Sequence, residues 1–314
     1  MEQRINELDY LKSIFILLMV AFHLVYIGDN YPYSKQIVYT FHMSGFLIIS
    51  GYLAVDSTGK SIRSFARKLL WIIIPYAVME TGYVIASCIL PVREAVTEIT
   101  PAILLSKIFV SPLGPYWYLH TLIICSLIQY CVFHWLRMKT LSRLIVFGLA
   151  LFAISCCGGL IVFANAIYFL AGTIIKQCKL PFTRVIPPSL PAVVPLVVLC
   201  CFPDNLDRGT LAGVVITYLS VSTLLYIHNY LPRLIRQYFY FIGRNTLVIL
   251  LFSPVFTIIS KAFLPFLLFE PTGMLFMVIS VVFAIGGCIA IAWTMDKLRL
   301  SRFFFGKDVI LNRQ

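Results

Sequence analysis

Charge is scarce in this chain of 314 residues. Only 12% of positions are charged, with 13 acids against 25 bases, while 60% are hydrophobic and the mean hydropathy is +0.92. Soluble domains keep about a quarter of their residues charged and about half apolar, so this composition excludes an ordinary water-soluble globule. Zinc-ligand and disulfide patterns are lacking too. Nine cysteines are present, but none forms C-x-x-C and nearly all fall inside apolar runs, which reads as small hydrophobic residues in helix contacts and predicts no metal. No internal repeat is visible, so an inverted-repeat transporter plan gains no support. After the apolar run Ile14 to Ile27 comes Gly28-Asp29-Asn30-Tyr31-Pro32. This is no small-residue cleavage site, and the first span is expected to stay on the protein.

What the sequence does hold is a series of apolar runs long enough to cross a bilayer, at about 20 residues per crossing. They lie near 10–28, 37–55, 69–90, 116–136, 141–157, 159–177, 189–203, 210–228, 245–264 and 274–295. The expected fold is therefore an all-α polytopic transmembrane bundle of about ten spans, one integral membrane domain over 1–314. Gly158 and Gly159 are where 141–177 would break. The stretch 91–115 carries Pro91, Pro101, Pro112 and Pro115 around the apolar run Ala102 to Val110, which predicts a re-entrant or interfacial helix.

The bases alternate from loop to loop. One side collects Arg4 and Lys12; Lys60, Arg63, Arg67 and Lys68; Arg137, Lys139 and Arg143; Lys176, Lys179 and Arg184; Arg233, Arg236 and Arg244; and five from Lys297 to Arg313. The other side has Lys35, Arg93, Lys107, Arg208 and Lys261, with acids at Asp29, Asp204, Asp207 and Glu270. Positive charge concentrates in cytoplasmic loops, so both termini are expected in the cytoplasm of a bacterial inner membrane. The net charge of +12 is then topology, and no nucleic-acid partner is expected, because the bases sit between apolar runs.

Ionisable groups inside spans are costly and mark candidate sites. Lys12 and His23 are eleven residues apart, about 20° beyond three full helical turns and about 16 Å along the axis, so they share one face. Lys12 can snorkel and His23 can serve a neighbouring helix, or the pair can be a cationic anchor and a titratable imidazole in a cavity. The second span reads Phe41-His42-Met43-Ser44-Gly45, then Ser50-Gly51-Tyr52; small residues there permit close helix approach, and His42 adds a second imidazole. Glu80 sits inside the third span, able to orient an imidazole or to pair with a cation. His120 follows Trp117 on the fourth, as a lining residue or a structural hydrogen bonder. His134 and His228, near span ends, read as interfacial. Asn245 reads as an N-cap.

Leu8-Asp9-Tyr10-Leu11-Lys12 followed by His23, then F-H-M-x-x-F-x-x-S-G-Y, resembles the acyltransferase-3 family of membrane-bound sugar O-acyltransferases, especially its fucose-O-acetylase-like branch. Lys12-x10-His23 matches the family's spacing of a basic residue and a first-span histidine. Arg67-Lys68-Leu69-Leu70 before Ile74-Pro75-Tyr76, Gly114-Pro115-Tyr116-Trp117-Tyr118-Leu119 and Ile242-Gly243-Arg244-Asn245-Thr246-Leu247 are similar to further family segments, so the likeness covers most of the chain. Ser44 stands where the family often has proline, and Leu251-Phe252-Ser253-Pro254 stands where a late histidine often follows.

The resemblance implies transfer of an acyl group, usually acetyl, from cytoplasmic acetyl-CoA to a hydroxyl, commonly of an envelope or exported glycan. It implies His23 as general base, with His42 and Glu80 in supporting catalytic roles. Lys12, Arg63, Arg67, Lys68 and Arg244 would meet the donor's phosphates, and Trp117, His120 and Tyr52 the acceptor. Membrane lipid and a homodimer are the other expected partners. Two other classes fit a membrane histidine. One is a proton-coupled glycan or solute transporter using His23 and Glu80, and the other an acyltransferase acting on proteins or lipids. The H-x4-D pattern of soluble glycerolipid acyltransferases is absent, since five residues separate His23 from Asp29.

Overall fold

The computed structural model describes residues 5–55, 59, 61–89, 96 and 98–312, and all regular structure among them is helical. Arg4, Lys60, Arg93 and Arg313 of the charge asymmetry lie outside the described residues. In chain order the helices are α1 (Asn6–His23), α2 (Val25–Asn30), α3 (Pro32–Ala54), α4 (Ile62–Ser87), α5 (Pro101–Phe109), α6 (Trp117–Trp135), α7 (Thr140–Gly158) and α8 (Phe163–Gln177). There follow α9 (Phe182–Val185), α10 (Val193–Cys200), α11 (Leu211–Tyr230), α12 (Arg233–Arg244), α13 (Thr246–Ile259), α14 (Leu264–Leu267), α15 (Met274–Lys297) and α16 (Ser301–Phe305).

Among the described residues, seven segments are long and apolar enough to cross a bilayer: Pro32–Ala54, Ile62–Ser87, Gly114–Trp135, Thr140–Gly158, Leu211–Tyr230, Thr246–Leu267 and Met274–Lys297. Three other expected spans come out shorter or broken. The run 10–28 does not form one helix, because Leu24 turns extended at ψ 110° and ends α1 at His23. Helix α8 has 15 residues. The run 189–203 is helical only over Val193–Cys200, since Pro187, Pro188 and Pro191 lack the amide hydrogens a helix interior needs. The break expected at Gly158 and Gly159 is found, with Gly159 left-handed at φ +60°. The apolar run after Pro101 is α5, capped at its start by Thr100, whose hydroxyl accepts from Ile103 N–H at 3.2 Å.

The chain divides into two compact units, one of Met1–Phe46, Thr183–Phe303 and Lys307–Gln314, the other of Leu47–Phe182 and Phe304–Gly306. In the first, α1 is the central element. It packs most extensively on α12 and also touches α11, α13 and α15. Close packing with α12 depends on Gly243, where any Cβ would run into the Asp9 carbonyl. Gly45 likewise leaves room for the Phe15 ring. The C-terminal segment is tied down by Asp296, whose carboxylate accepts from Ser301 Oγ, Ile310 N–H (2.8 Å) and Leu311 N–H (3.1 Å). Before α15, the Glu270 carboxylate accepts from Thr272 and from Leu275 N–H, and these bonds, the Thr272 hydroxyl's first, hold its carboxyl below the usual range.

In the second unit, α6 packs on α4, α7 and α8, and α7 packs on α8. The end of α3 meets α8 backbone to backbone. Gly51 faces the Phe169 carbonyl and Gly172 the Ile48 carbonyl, with no space for a Cβ at either. The close approach expected from the small residues of 50–51 is therefore present. A buried polar chain accompanies it, Gln129 Nε2 donating to Thr173 Oγ1 at 2.9 Å and Thr173 Oγ1 to the Phe169 carbonyl at 3.0 Å.

Candidate active site

At one end of α1, Asp9 is 3% exposed and gathers two cations. Lys12 Nζ lies 2.7 Å from its Oδ1, and Arg244 Nε 3.2 Å from its Oδ2. Arg244 also donates to Asn6 Oδ1 at 3.4 Å. Two cations share one carboxylate here, so the cluster keeps a positive charge. Lys12 and Arg244 were both legible as basic residues, but Asp9, which joins them, was missed as a site residue. Its signal was its place three residues before Lys12 on the same helix face.

Asn245 does not cap α13 with its side chain. Its Nδ2 donates to the Phe241 carbonyl (2.8 Å) and the Asn312 carbonyl (3.2 Å), and its Oδ1 accepts from Asn312 N–H (2.9 Å). It fastens the C-terminal segment beside Arg244. His228, expected at an interface, is buried instead, 2.7 Å from the Tyr240 hydroxyl and with its ring 4.9 Å from that of Tyr10.

At the other end of α1 stands a row of three rings. His23 is the last residue of the helix, and its ring centroid lies 6.1 Å from that of Tyr39, which lies 5.2 Å from that of His42. Both imidazoles are held alike. His23 Nδ1–H donates to the Met19 carbonyl at 2.7 Å, and His42 Nδ1–H to the Val38 carbonyl at 2.6 Å. A carbonyl only accepts, so the proton is assigned to Nδ1 and the basic lone pair to Nε2 in each ring. His42 is 2% exposed, and its Nε2 has no hydrogen-bonding partner among the described residues. Lys35 Nζ lies 5.4 Å from the Tyr39 ring centre. Just after His23, a cavity of about 360 Å³ is lined by Leu24, Tyr26, Asp29, Thr257, Lys261 and neighbours.

The remaining candidates belong to the second unit. Glu80 is fully buried, and its Oε1 accepts from Leu113 N–H at 2.7 Å. His120 Nε2–H donates to the Phe109 carbonyl at 2.9 Å, and the Tyr76 hydroxyl to the Ile108 carbonyl at 2.6 Å. These three side chains hold the segment 108–113, where α5 ends with carbonyls that its own turns leave unbonded. The geometry gives His120 the structural hydrogen bond. Trp117 opens α6, half-buried. Tyr52 is 5% exposed, edge-on to Phe182 at 5.6 Å, with Lys176 Nζ 5.0 Å from its ring centre. Arg63 and Arg67 are exposed on the first turns of α4, and Lys68 lines a cavity of about 210 Å³ with Ser50, Phe65, Leu122 and Ser126. His134 is exposed and stacks on Tyr130 at 4.8 Å.

Helix α1 thus joins a lysine–aspartate–arginine cluster at one end to imidazoles fixed by main-chain bonds at the other. No curated protein and no solved structure matches the chain. A model of the acyltransferase domain matches residues 5–293, which takes in α1 to α14, nearly all of α15 and both clusters. The chain belongs to the acyltransferase-3 family, and it is a multi-pass membrane acyltransferase.

Proposed function

We propose that the protein moves an acetyl group from cytoplasmic acetyl-CoA to a hydroxyl of an envelope or exported glycan in a bacterial inner membrane, with His23 as general base. The observation that carries this reading is the fixed tautomer of His23, whose Nε2 lone pair is kept basic by the bond from Nδ1–H to the Met19 carbonyl. An imidazole with an unperturbed pKa near 6.5 suits proton abstraction from a weakly acidic hydroxyl. The hydroxyl oxygen attacks the thioester carbonyl, a C–O bond forms, and the C–S bond breaks. The proton taken by His23 passes to the departing thiolate, giving free CoA and the ester.

Lys12 and Arg244 fit the donor's phosphates, because Asp9 holds both while leaving the cluster positive. The distance of about 16 Å along α1 between Lys12 and His23 is close to the reach of an extended pantetheine arm. The loop charge asymmetry supports a cytoplasmic Lys12 end and an outward His23 end. The test is acetylation of the glycan in cells that carry His23→Ala, with protein abundance measured alongside. Unchanged acetylation at unchanged abundance overturns the proposal.

A further inference from the structure

Helix α12 links two spans. α11 ends at Tyr230 and α13 begins at Thr246, and both belong to segments long and apolar enough to cross a bilayer. α12 between them is too short to cross, since its 12 residues rise about 18 Å against a hydrocarbon core of about 30 Å. It therefore stays at the membrane surface where α11 ends. Pro232, extended at ψ 147°, turns the chain into it.

The sequence of α12 gives it two unlike sides. At 100° per residue, Arg233, Arg236 and Arg244 fall within about 80° of one another, and Leu234, Ile235 and Tyr238 fall on the opposite side. Those three apolar side chains are 64%, 42% and 66% exposed. α1 does not cover them, because it meets α12 elsewhere, at Gly243 against the Asp9 carbonyl and at Phe239, whose ring lies 5.4 Å from that of Tyr10. Arg233 and Arg236 are exposed as well. Two acids act nearby, Glu7 on Tyr240 and Asp9 on Lys12 and Arg244. In water α12 would hide its apolar side, and in hydrocarbon its arginines. The headgroup layer suits both, with apolar side chains in the acyl region and guanidinium groups among phosphates.

We infer that α12 is a seat for anionic phospholipid, with Arg233 and Arg236 on the headgroup phosphate and Leu234, Ile235 and Tyr238 among the acyl chains. Guanidinium pairs with phosphate through charge-assisted bonds, and a zwitterionic headgroup brings a cation of its own that two arginines repel. A soluble phosphate matches the arginines but leaves the exposed apolar side unused, so lipid is the occupant. This inference does not depend on the acyltransferase proposal, and its test reads no transfer.

The test is thermal unfolding of the purified full-length chain in mixed micelles, with phosphatidylglycerol replacing phosphatidylcholine at constant total lipid. Phosphatidylglycerol is expected to stabilise the wild type in a saturable way, and inorganic phosphate is not. Arg233→Gln and Arg236→Gln should each raise the half-saturating phosphatidylglycerol about fivefold, while Arg233→Lys and Arg236→Lys keep it. Leu234→Gln should raise it too. Lys139→Gln, the same change of charge just before α7, should leave it in place. The inference is overturned if folded wild type does not distinguish the two lipids, or if phosphate alone stabilises equally. An unchanged midpoint in Arg233→Gln/Arg236→Gln, or an equal shift in Lys139→Gln, also overturns it. A Leu234→Gln protein that passes from dimer to monomer with its midpoint unmoved would give the apolar side to a second copy instead.

Discussion

Helices α1 and α7 are nearly equal in length, 18 and 19 residues, and both come from apolar runs, yet they have opposite surroundings. α7 has a mean hydropathy of 2.0 and 11% of its span is buried, only Phe147 and Leu151 being enclosed. α1 carries Glu7, Asp9 and Lys12, too many charges for a bilayer-crossing composition, and ten of its residues are buried among α11, α12, α13 and α15. Hydropathy thus reports contact with lipid and not importance to the fold. A helix enclosed by protein can keep ionisable groups because its neighbours supply their partners.

The largest effect that tests this contrast is expected at His23. His23→Ala should lower acetyl transfer about 10²–10⁴-fold with little change in abundance, read from glycan acetylation per folded molecule. Wild-type transfer would remove His23 from the chemistry and leave α1 a structural helix. Asp9→Ala should come next. It removes the carboxylate that joins Lys12 and Arg244 and leaves two like charges facing each other, a loss of about 3 kcal/mol. This is the lower end of the range, because the Lys12 and Arg244 side chains keep 19% and 16% exposure. Unfolding in mixed micelles measures it, and a stability change near zero would mean that the buried ion cluster is not what settles α1 on α12.

Much of α1 was legible in the sequence. Its apolar run, the shared face of Lys12 and His23 and the small residues of the second span all follow from helical geometry over short distances. The partners were not. Asp9 meets Arg244 across 235 positions, and no local rule joins them. The helix break at Leu24 was hidden, because Leu24-Val25-Tyr26-Ile27 continues the apolar pattern without Gly or Pro. Glu80 and His120 drew notice as polar residues in spans, which sequence reasoning ties to chemistry. In the structure they bond main-chain groups of 108–113, and a backbone partner leaves no trace in the identity of the residue that supplies it.

Those backbone bonds carry their own prediction. Glu80→Ala leaves the Leu113 N–H without its acceptor and should destabilise the protein by about 1–3 kcal/mol, while Glu80→Gln, which keeps an oxygen in place, should cost less. Transfer per folded molecule should change little in either. A Glu80→Gln protein that is fully stable but inactive would place Glu80 in the reaction and reopen its role beside an imidazole.

The smallest effect should be found on α7. Leu149 is 62% exposed, so in a bilayer its side chain faces lipid. Leu149→Ala removes three methyl-sized groups whose place lipid tails can fill, because the surrounding fluid is as apolar as leucine itself. No cavity forms and no apolar surface moves into water, so the expected loss is below about 0.5 kcal/mol. The same truncation at Leu11, fully buried in α1, leaves a void that packed helices cannot close and should cost about 2–5 kcal/mol. The two are measured side by side in bicelles, where lipid contact is retained. Equal losses would mean that α7 is covered by protein in the membrane, by a second copy of the chain or by another partner, and the contrast with α1 would then lie in which protein encloses each helix.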